Sequence, residues 1–154
     1  MTKEEKEDLM IDCLLEMNLP KENVRAIATI LKKEEQIDIM LNWIKKHFKE
    51  KPHKLRVMLV VVAIRDGINS ETTDALINKL NPLFGMDTMT SIVMAMETNN
   101  QMSSMLNWIE KHYKENLSEK EVIQAAEKIK EEVVHTQAPV PTTTRDYIKN
   151  AFKK

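Results

Sequence analysis

A fifteen-residue segment occurs twice in this chain and constrains the fold more than any other feature. Residues 36–50, QIDIMLNWIKKHFKE, return as residues 101–115, QMSSMLNWIEKHYKE, with ten of fifteen positions identical and no insertion or deletion between the two. Self-similarity of this kind indicates one supersecondary unit used twice. We call the two segments the first copy and the second copy. They predict two tandem pseudo-repeats, residues 1–67 and 68–135, that share one core.

The composition is typical of an all-α protein. Only two of the 154 residues are glycine, whereas sheets joined by tight turns normally need more of this residue. Apolar residues recur at helical spacing between polar or proline-containing corners, so about four short helices are predicted in each repeat. Residues 54–65 are apolar on every side and are predicted to form a central helix, buried on all faces between the repeats.

The ends of the helices are predicted from caps and breakers. Ser70 is a suitable N-cap, Gly67 is a C-cap candidate, and Ser118 with Glu121 fits a capping box. The predicted helices cover approximately residues 7–17, 20–33, 36–50, 53–66, 70–80, 87–99, 101–115 and 118–134, with a corner at 81–85. Residues 136–154 read as a linker and a short C-terminal amphipathic helix, which is predicted to dock on its own chain or on another molecule.

Charge and apolar runs indicate a cytoplasmic protein without a membrane partner. The formal net charge is −1, which predicts no general attraction to nucleic acid or to a membrane surface. The longest apolar run, residues 57–64, is far shorter than the roughly 20 residues of a membrane span. The acidic N-terminus lacks the pattern of a signal peptide. Cys13 is the single cysteine and cannot form an internal disulfide, so a reducing compartment is expected.

The repeated segment places the same polar residues beside the same aromatic residue in both copies. On a helical projection, Gln36 and His47 flank Trp43 on an otherwise apolar edge. The second copy presents Gln101, Trp108 and His112 in the same relation. The edge is either a packing solution used twice or a duplicated pocket for a partner. The pocket interpretation requires both indoles to be partly accessible and to have equivalent surroundings.

Methionine is unusually frequent, with eleven residues in the chain and six of them between positions 86 and 105. Methionine fills irregular cores, and it also lines adaptable grooves for partner helices. Met89, Val93 and Met96 share one helical face and are predicted to point inward, whereas Met94 points away from it. The candidate partner-binding residues are therefore Gln36, Trp43, His47, Gln101, Trp108, His112 and Met94.

Motifs for catalysis or metal binding are absent from the sequence. The four histidines have no recognisable ligand spacing, and neither C-x-x-C nor H-E-x-x-H occurs. Adjacent carboxylates occur only in charged helical stretches, where solvation explains them. We therefore predict a non-enzymatic interaction or regulatory protein without cofactor or metal, which binds another polypeptide or self-associates through an apolar edge or groove.

An alternative function comes from residues 14–27, LLEMNLPKENVRAI, which resemble a helix-turn-helix DNA-binding motif. Asn18 occupies the turn position usually given to glycine, and Val24 and Ile27 fall at apolar positions of that motif. The resemblance implies a small DNA-binding transcriptional regulator, assisted by the basic run at residues 45–56. The candidate nucleic-acid contacts are Lys21, Asn23, Arg25, Lys45, Lys46, Lys49 and Lys54.

A second resemblance covers residues 9–44 and, more loosely, residues 74–109. A leucine-rich helix is followed by N-L-P-K-E, by I-x-x-I-L-K-x-E-E-Q and by M-L-x-W-I. This order resembles a group of short helical proteins of unassigned function from low-GC Gram-positive bacteria. The resemblance implies a duplicated module in a bacterial cytoplasm and no known chemistry.

Overall fold

The structure, a computed structural model, describes the backbone of residues 1–137 and the side chains of residues 1–131. Helices form its regular structure, and no strand occurs within residues 1–137, so the prediction of an all-α fold is confirmed. The elements are α1 (Lys3–Glu16), α2 (Lys21–Ile30), α3 (Glu34–His47), a 3₁₀ turn (Phe48–Glu50), α4 (Lys54–Arg65), α5 (Ser70–Ala95), α6 (Asn99–His112) and α7 (Glu119–Gln137). The short helix predicted at residues 145–154 lies outside the described residues.

Two helices end at a residue in the left-handed region. Gly67 has a φ of 76°, and the N–H of Ile68 behind it donates to the carbonyl of Ala63 at 2.8 Å. Asn18 has a φ of 66°, and the N–H of Leu19 donates to the carbonyl of Leu14 at 3.4 Å. Both arrangements satisfy carbonyls that a helix end leaves unpaired. The predicted role of Gly67 is confirmed.

Side-chain caps change one predicted helix start and one predicted cap residue. The hydroxyl of Thr2 accepts from the N–H of Glu5 at 3.1 Å, and the Glu5 carboxylate accepts from the N–H of Thr2 at 3.0 Å. This capping box begins α1 at Lys3, four residues before the predicted start. Asn69, and not Ser70, caps α5, because its side chain accepts from the N–H of Thr72 at 3.0 Å. The capping box predicted at Ser118 is confirmed.

The predicted corner at residues 81–85 is confirmed at its last residue, Gly85, where two helical arms meet at a kink. Helix α5 continues through Pro82 and leaves helical geometry only at Gly85, with φ 82° and ψ 178°. A proline removes one backbone donor and bends a helix, but the helix can resume behind it. Glycine alone adopts this positive φ at little cost, so the chain turns at Gly85. The second arm of α5 then ends at Ala95, before the predicted end at residue 99.

One core runs through the described residues, from Met10 in α1 to Ile129 in α7. The predicted helix at residues 54–65 is confirmed as α4, which packs against α2, α3 and α5. Its place between two repeats stays a prediction. The prediction that this helix is buried on every face is wrong in one respect. Leu55, Met58 and Val62 follow each other at helical spacing and are only partly buried, because the three neighbouring helices leave that strip open.

The methionines of α5 and α6 mostly fill this core. Met89, Val93 and Met96 are buried as predicted, and so are Met102 and Met105. No helix within the described part of the chain has both the length and the apolar character that crossing a membrane requires.

Candidate functional site

The two recurring glutamines cap helix starts. Gln36 accepts from the N–H of Lys33 at 3.2 Å through its side-chain oxygen. The same atom of Gln101 accepts from the N–H groups of Glu97 and Thr98 at 2.7 Å and 3.1 Å. These bonds satisfy donors that the first turns of α3 and α6 leave unpaired. Gln101 is buried by this role and is not accessible to a partner.

Trp43 is enclosed, so the prediction of an accessible indole is wrong for the first copy. Only 1% of Trp43 is exposed. The His47 ring lies on one side of it, with ring centroids 4.7 Å apart, and the Cζ atom of Arg56 lies 5.5 Å from its centroid. Trp43 belongs to the apolar core, and Arg56, in α4, lies outside the repeated segment. His47 is held within the protein by the same contacts.

A buried ion pair joins α4 to α5 beside this tryptophan. Arg56 Nε and Nη2 donate to the two oxygens of Asp74 at 2.7 Å and 2.8 Å, and Nη1 donates to Glu50 at 3.0 Å. The Asp74 side chain is only 4% exposed. Hydrogen bonds to Asp74, and then to Glu50, raise the pKa of Arg56 above its ordinary value. A hydrogen bond from His47, and then one from Arg56, lowers the pKa of Glu50.

His47 completes the network. Its Nδ1 atom lies 2.6 Å from Glu50 Oε2. Because a carboxylate only accepts, Nδ1 carries the proton, and Arg56 Nη2 at 3.3 Å is a close contact without a hydrogen bond. His47 Nε2 lies 3.6 Å from Asp74 Oδ2, too far for a hydrogen bond, and has no other partner within the described residues. The network holds α3, α4 and α5 together.

The second copy repeats the centre of this arrangement without its cover. The Trp108 and His112 rings lie 4.5 Å apart, and His112 Nδ1 lies 2.9 Å from Glu115. Trp108 is nevertheless partly exposed. When the register of the two copies is continued along the chain, Glu121 falls at the position of Arg56, so a carboxylate replaces the cation there. The predicted equivalence of the two tryptophans therefore holds for their histidine and glutamate neighbours and is wrong for their burial.

An open apolar groove lies between α1 and α3 and was not predicted. Its volume is about 480 Å³, and its lining residues are Leu9, Cys13, Glu16, Leu41, Asn42, Ile44, Lys45 and Phe48. Burial raises the pKa of the Cys13 thiol, which therefore stays protonated and contributes as a small apolar group. The available sequence signal was weak: Leu9 and Cys13 lie beside the stripe of Met10 and Leu14 that α1 buries.

The cations proposed to contact nucleic acid lie on two parts of the surface. On α2, Lys21 and Arg25 are exposed and Asn23 is partly buried between them. The second group lies around the end of α3 and the start of α4 and consists of Lys45, Lys46, Lys49 and Lys54. Lys46 pairs with Glu71 at 3.1 Å, and Arg56 is committed to its buried pair. The basic run 45–56 therefore offers less positive charge to phosphates than its composition indicates.

Met94 is exposed beside a small cavity of about 40 Å³ between α4 and α5, with room for one or two water molecules.

Among the side chains that the structure describes, no three His, Cys, Asp or Glu residues come together as ligands for a metal ion. Comparisons with protein families, with curated proteins and with solved structures gave no match. A function is therefore inferred from the geometry of this chain alone.

Proposed function

We propose that this chain is a non-enzymatic interaction module that binds an amphipathic helix of another polypeptide in the groove between α1 and α3. The observation that carries the proposal is the groove itself, which is open, largely apolar and lined along two helices. An apolar stripe on a partner helix would bury Leu9 and Leu41, and each fully buried large apolar side chain contributes about 1.5–3 kcal/mol.

Opposite charges on the two walls favour one orientation of the partner. Glu16 lines the α1 wall and Lys45 lines the α3 wall. A partner helix with a basic residue on one flank of its apolar stripe and an acidic residue on the other would pair with both. Reversing that helix would place like charges together, so the pairing gives specificity more than affinity.

A duplication of one four-helix unit explains why the chain has this architecture. In the register that aligns Gln36 with Gln101, α6 has the same bounds as α3, α7 begins where α4 begins, and the second arm of α5 corresponds to α2. The packing partners also correspond. The pairs α1–α3, α3–α4 and α2–α4 have their counterparts in α5–α6, α6–α7 and α5–α7. We infer two pseudo-repeats that share one core.

The two halves are not equivalent as binding sites. Tyr113 stands at the position of Phe48, and the ammonium group of Lys79 lies 4.7 Å from the centroid of its ring. This cation–π contact places an ammonium group over the ring at the position where Phe48 lines the groove of the first half, and Tyr113 itself is 40% exposed. We therefore infer one partner helix per chain, bound by the first half.

The test uses a displayed library of helical peptides with an apolar i, i+3, i+4, i+7 stripe and variable charged flanks. Peptides selected on the full chain are then measured against two variants, Leu9→Lys and Leu15→Lys. The two leucines lie on the same helix and are 40% and 41% exposed, but only Leu9 lines the groove. We expect Leu9→Lys to abolish binding and Leu15→Lys to preserve it.

A second variant examines the charge argument. With Lys45→Glu, we expect selection to favour peptides in which the acidic flank has become basic. The proposal fails if no peptide is retained, or if retained peptides bind both leucine variants equally. A salt-dependent mobility shift with random duplex DNA would instead favour the DNA-binding alternative, because phosphate contacts impose a steep dependence on salt.

A further inference from the structure

The first copy contains a guanidinium site with its occupant in place. The Arg56 guanidinium lies over the Trp43 ring and is 3.3 Å from His47. It donates to Glu50 at 3.0 Å and to the two oxygens of Asp74 at 2.7 Å and 2.8 Å. A planar cation gains in such a site from both the aromatic face and the carboxylate. Trp43, His47 and Glu50 all belong to the repeated segment, whereas the arginine and Asp74 do not.

The second copy contains the same three groups at nearly the same geometry. Trp108 and His112 are tilted by 37° to each other, against 34° for Trp43 and His47. The His112–Glu115 distance of 2.9 Å compares with 2.6 Å for His47 and Glu50. The arginine is replaced by Glu121, which adds negative charge at the corresponding sequence position and leaves Trp108 partly exposed.

We propose that Trp108, His112 and Glu115 form a binding site for the guanidinium group of an arginine that α7 does not supply. The guanidinium would lie over the Trp108 ring and donate to Glu115, as Arg56 does in the first copy. The site is independent of the α1/α3 groove, since none of its three residues lines that groove.

The acidic surroundings favour a cation over a neutral ligand. The Glu115 side chain is largely exposed, so it is free to turn its second oxygen toward a donor while His112 holds the first. Glu121 is fixed at the start of α7 by the Ser118 hydroxyl, which donates to its carboxylate at 3.0 Å. An arginine is preferred to a lysine here because its plane stacks on an indole and its fork suits a carboxylate.

One candidate arginine lies in the same chain. Arg145 lies outside the described residues, eight positions after Gln137, the last residue of α7. An arginine of another polypeptide is the other source of the same group.

The two indole N–H cross-peaks of the full chain in a ¹H–¹⁵N correlation spectrum provide the measurement, with Trp43 as the internal control. N-acetyl-arginine amide is titrated to millimolar concentration, with N-acetyl-lysine amide as the matched probe. The Arg145→Gln variant is titrated in parallel, and Trp108→Phe identifies the two peaks. Glu115→Gln tests the carboxylate, and Glu110→Gln in the same repeated segment serves as its control.

If Arg145 is the occupant, Arg145→Gln alone shifts the Trp108 peak, and the arginine amide then restores its position. If a partner supplies the arginine, the amide shifts Trp108 saturably in the unmodified chain, and Arg145→Gln has no effect. Either result supports the site, provided that Trp43 does not move and Glu115→Gln abolishes the response. A Trp108 peak that responds to neither change, or equally to the lysine amide, overturns the proposal.

Discussion

Removing Asp74 should destabilise the protein more than removing any exposed carboxylate of α5. Asp74→Ala leaves the Arg56 guanidinium without its bidentate partner, at a position where the arginine side chain is only 14% exposed. Breaking a buried ion pair by deleting one partner typically costs about 3–5 kcal/mol. Glu50 still accepts from Arg56 and is half-exposed, so part of the charge stays compensated. We therefore expect a loss of about 2–3 kcal/mol in the free energy of unfolding.

The loss can be measured by urea unfolding followed through circular dichroism and through tryptophan fluorescence. For a chain of this size, about 2–4 °C in melting temperature corresponds to each kcal/mol, so Asp74→Ala should melt roughly 4–12 °C lower. Glu71→Ala is the matched control on the same helix. It removes the exposed pair with Lys46, in which the two side chains are 61% and 51% exposed, and should cost at most about 0.5 kcal/mol.

The double variant Arg56→Met with Asp74→Leu separates the ion pair from the packing around it. Replacing both charges by apolar groups of similar size leaves no unpaired charge, so most of the lost stability should return. The reasoning is refuted if Asp74→Ala costs no more than Glu71→Ala. It is also refuted if the double variant is as unstable as Asp74→Ala alone.

Further substitutions follow from burial, backbone geometry and titration. Val61 is fully buried in α4, so Val61→Asp should unfold both halves together at a cost of several kcal/mol; a near-native melting curve would contradict the central position of α4. Gly85→Ala should lower the free energy of unfolding by about 1–2 kcal/mol, because an alanine is strained at a φ of 82°. The added Cβ meets no atom within 4 Å, so backbone strain is the only cause, and an unchanged melting temperature would exclude it. The lowered pKa of Glu50 means that its contribution to stability is present above its unfolded pKa of 4.5 and is lost as the pH falls through the lower folded value. Urea midpoints should therefore fall more steeply on acidification below about pH 5 in the unmodified chain than in Glu50→Gln, and parallel curves would rule this out.

The local elements of this fold could be predicted from the sequence because their causes are local. Gly67 ends α4 through its own φ, Ser118 and Glu121 cap α7 within one turn, and the apolar run at residues 54–65 must be buried wherever it packs. Errors arose where a local signal had two outcomes. Pro82 is compatible with a corner or with a helix that continues, and in the structure the helix continues past it and the chain turns at Gly85.

The surroundings of the two tryptophans could not be predicted, although their sequences are nearly the same. Arg56 lies over Trp43 and pairs with Asp74. Both residues lie outside the repeated segment, eighteen residues apart, and only the packing of α5 on α4 brings them together. The groove between α1 and α3 likewise needs side chains from two helices separated by more than twenty residues. The sequence by itself determined which residues form helices and that one segment is used twice, since these depend on neighbours within a few turns. The tertiary structure decided which tryptophan is buried and which surface stays open, because burial depends on which other elements cover a side chain.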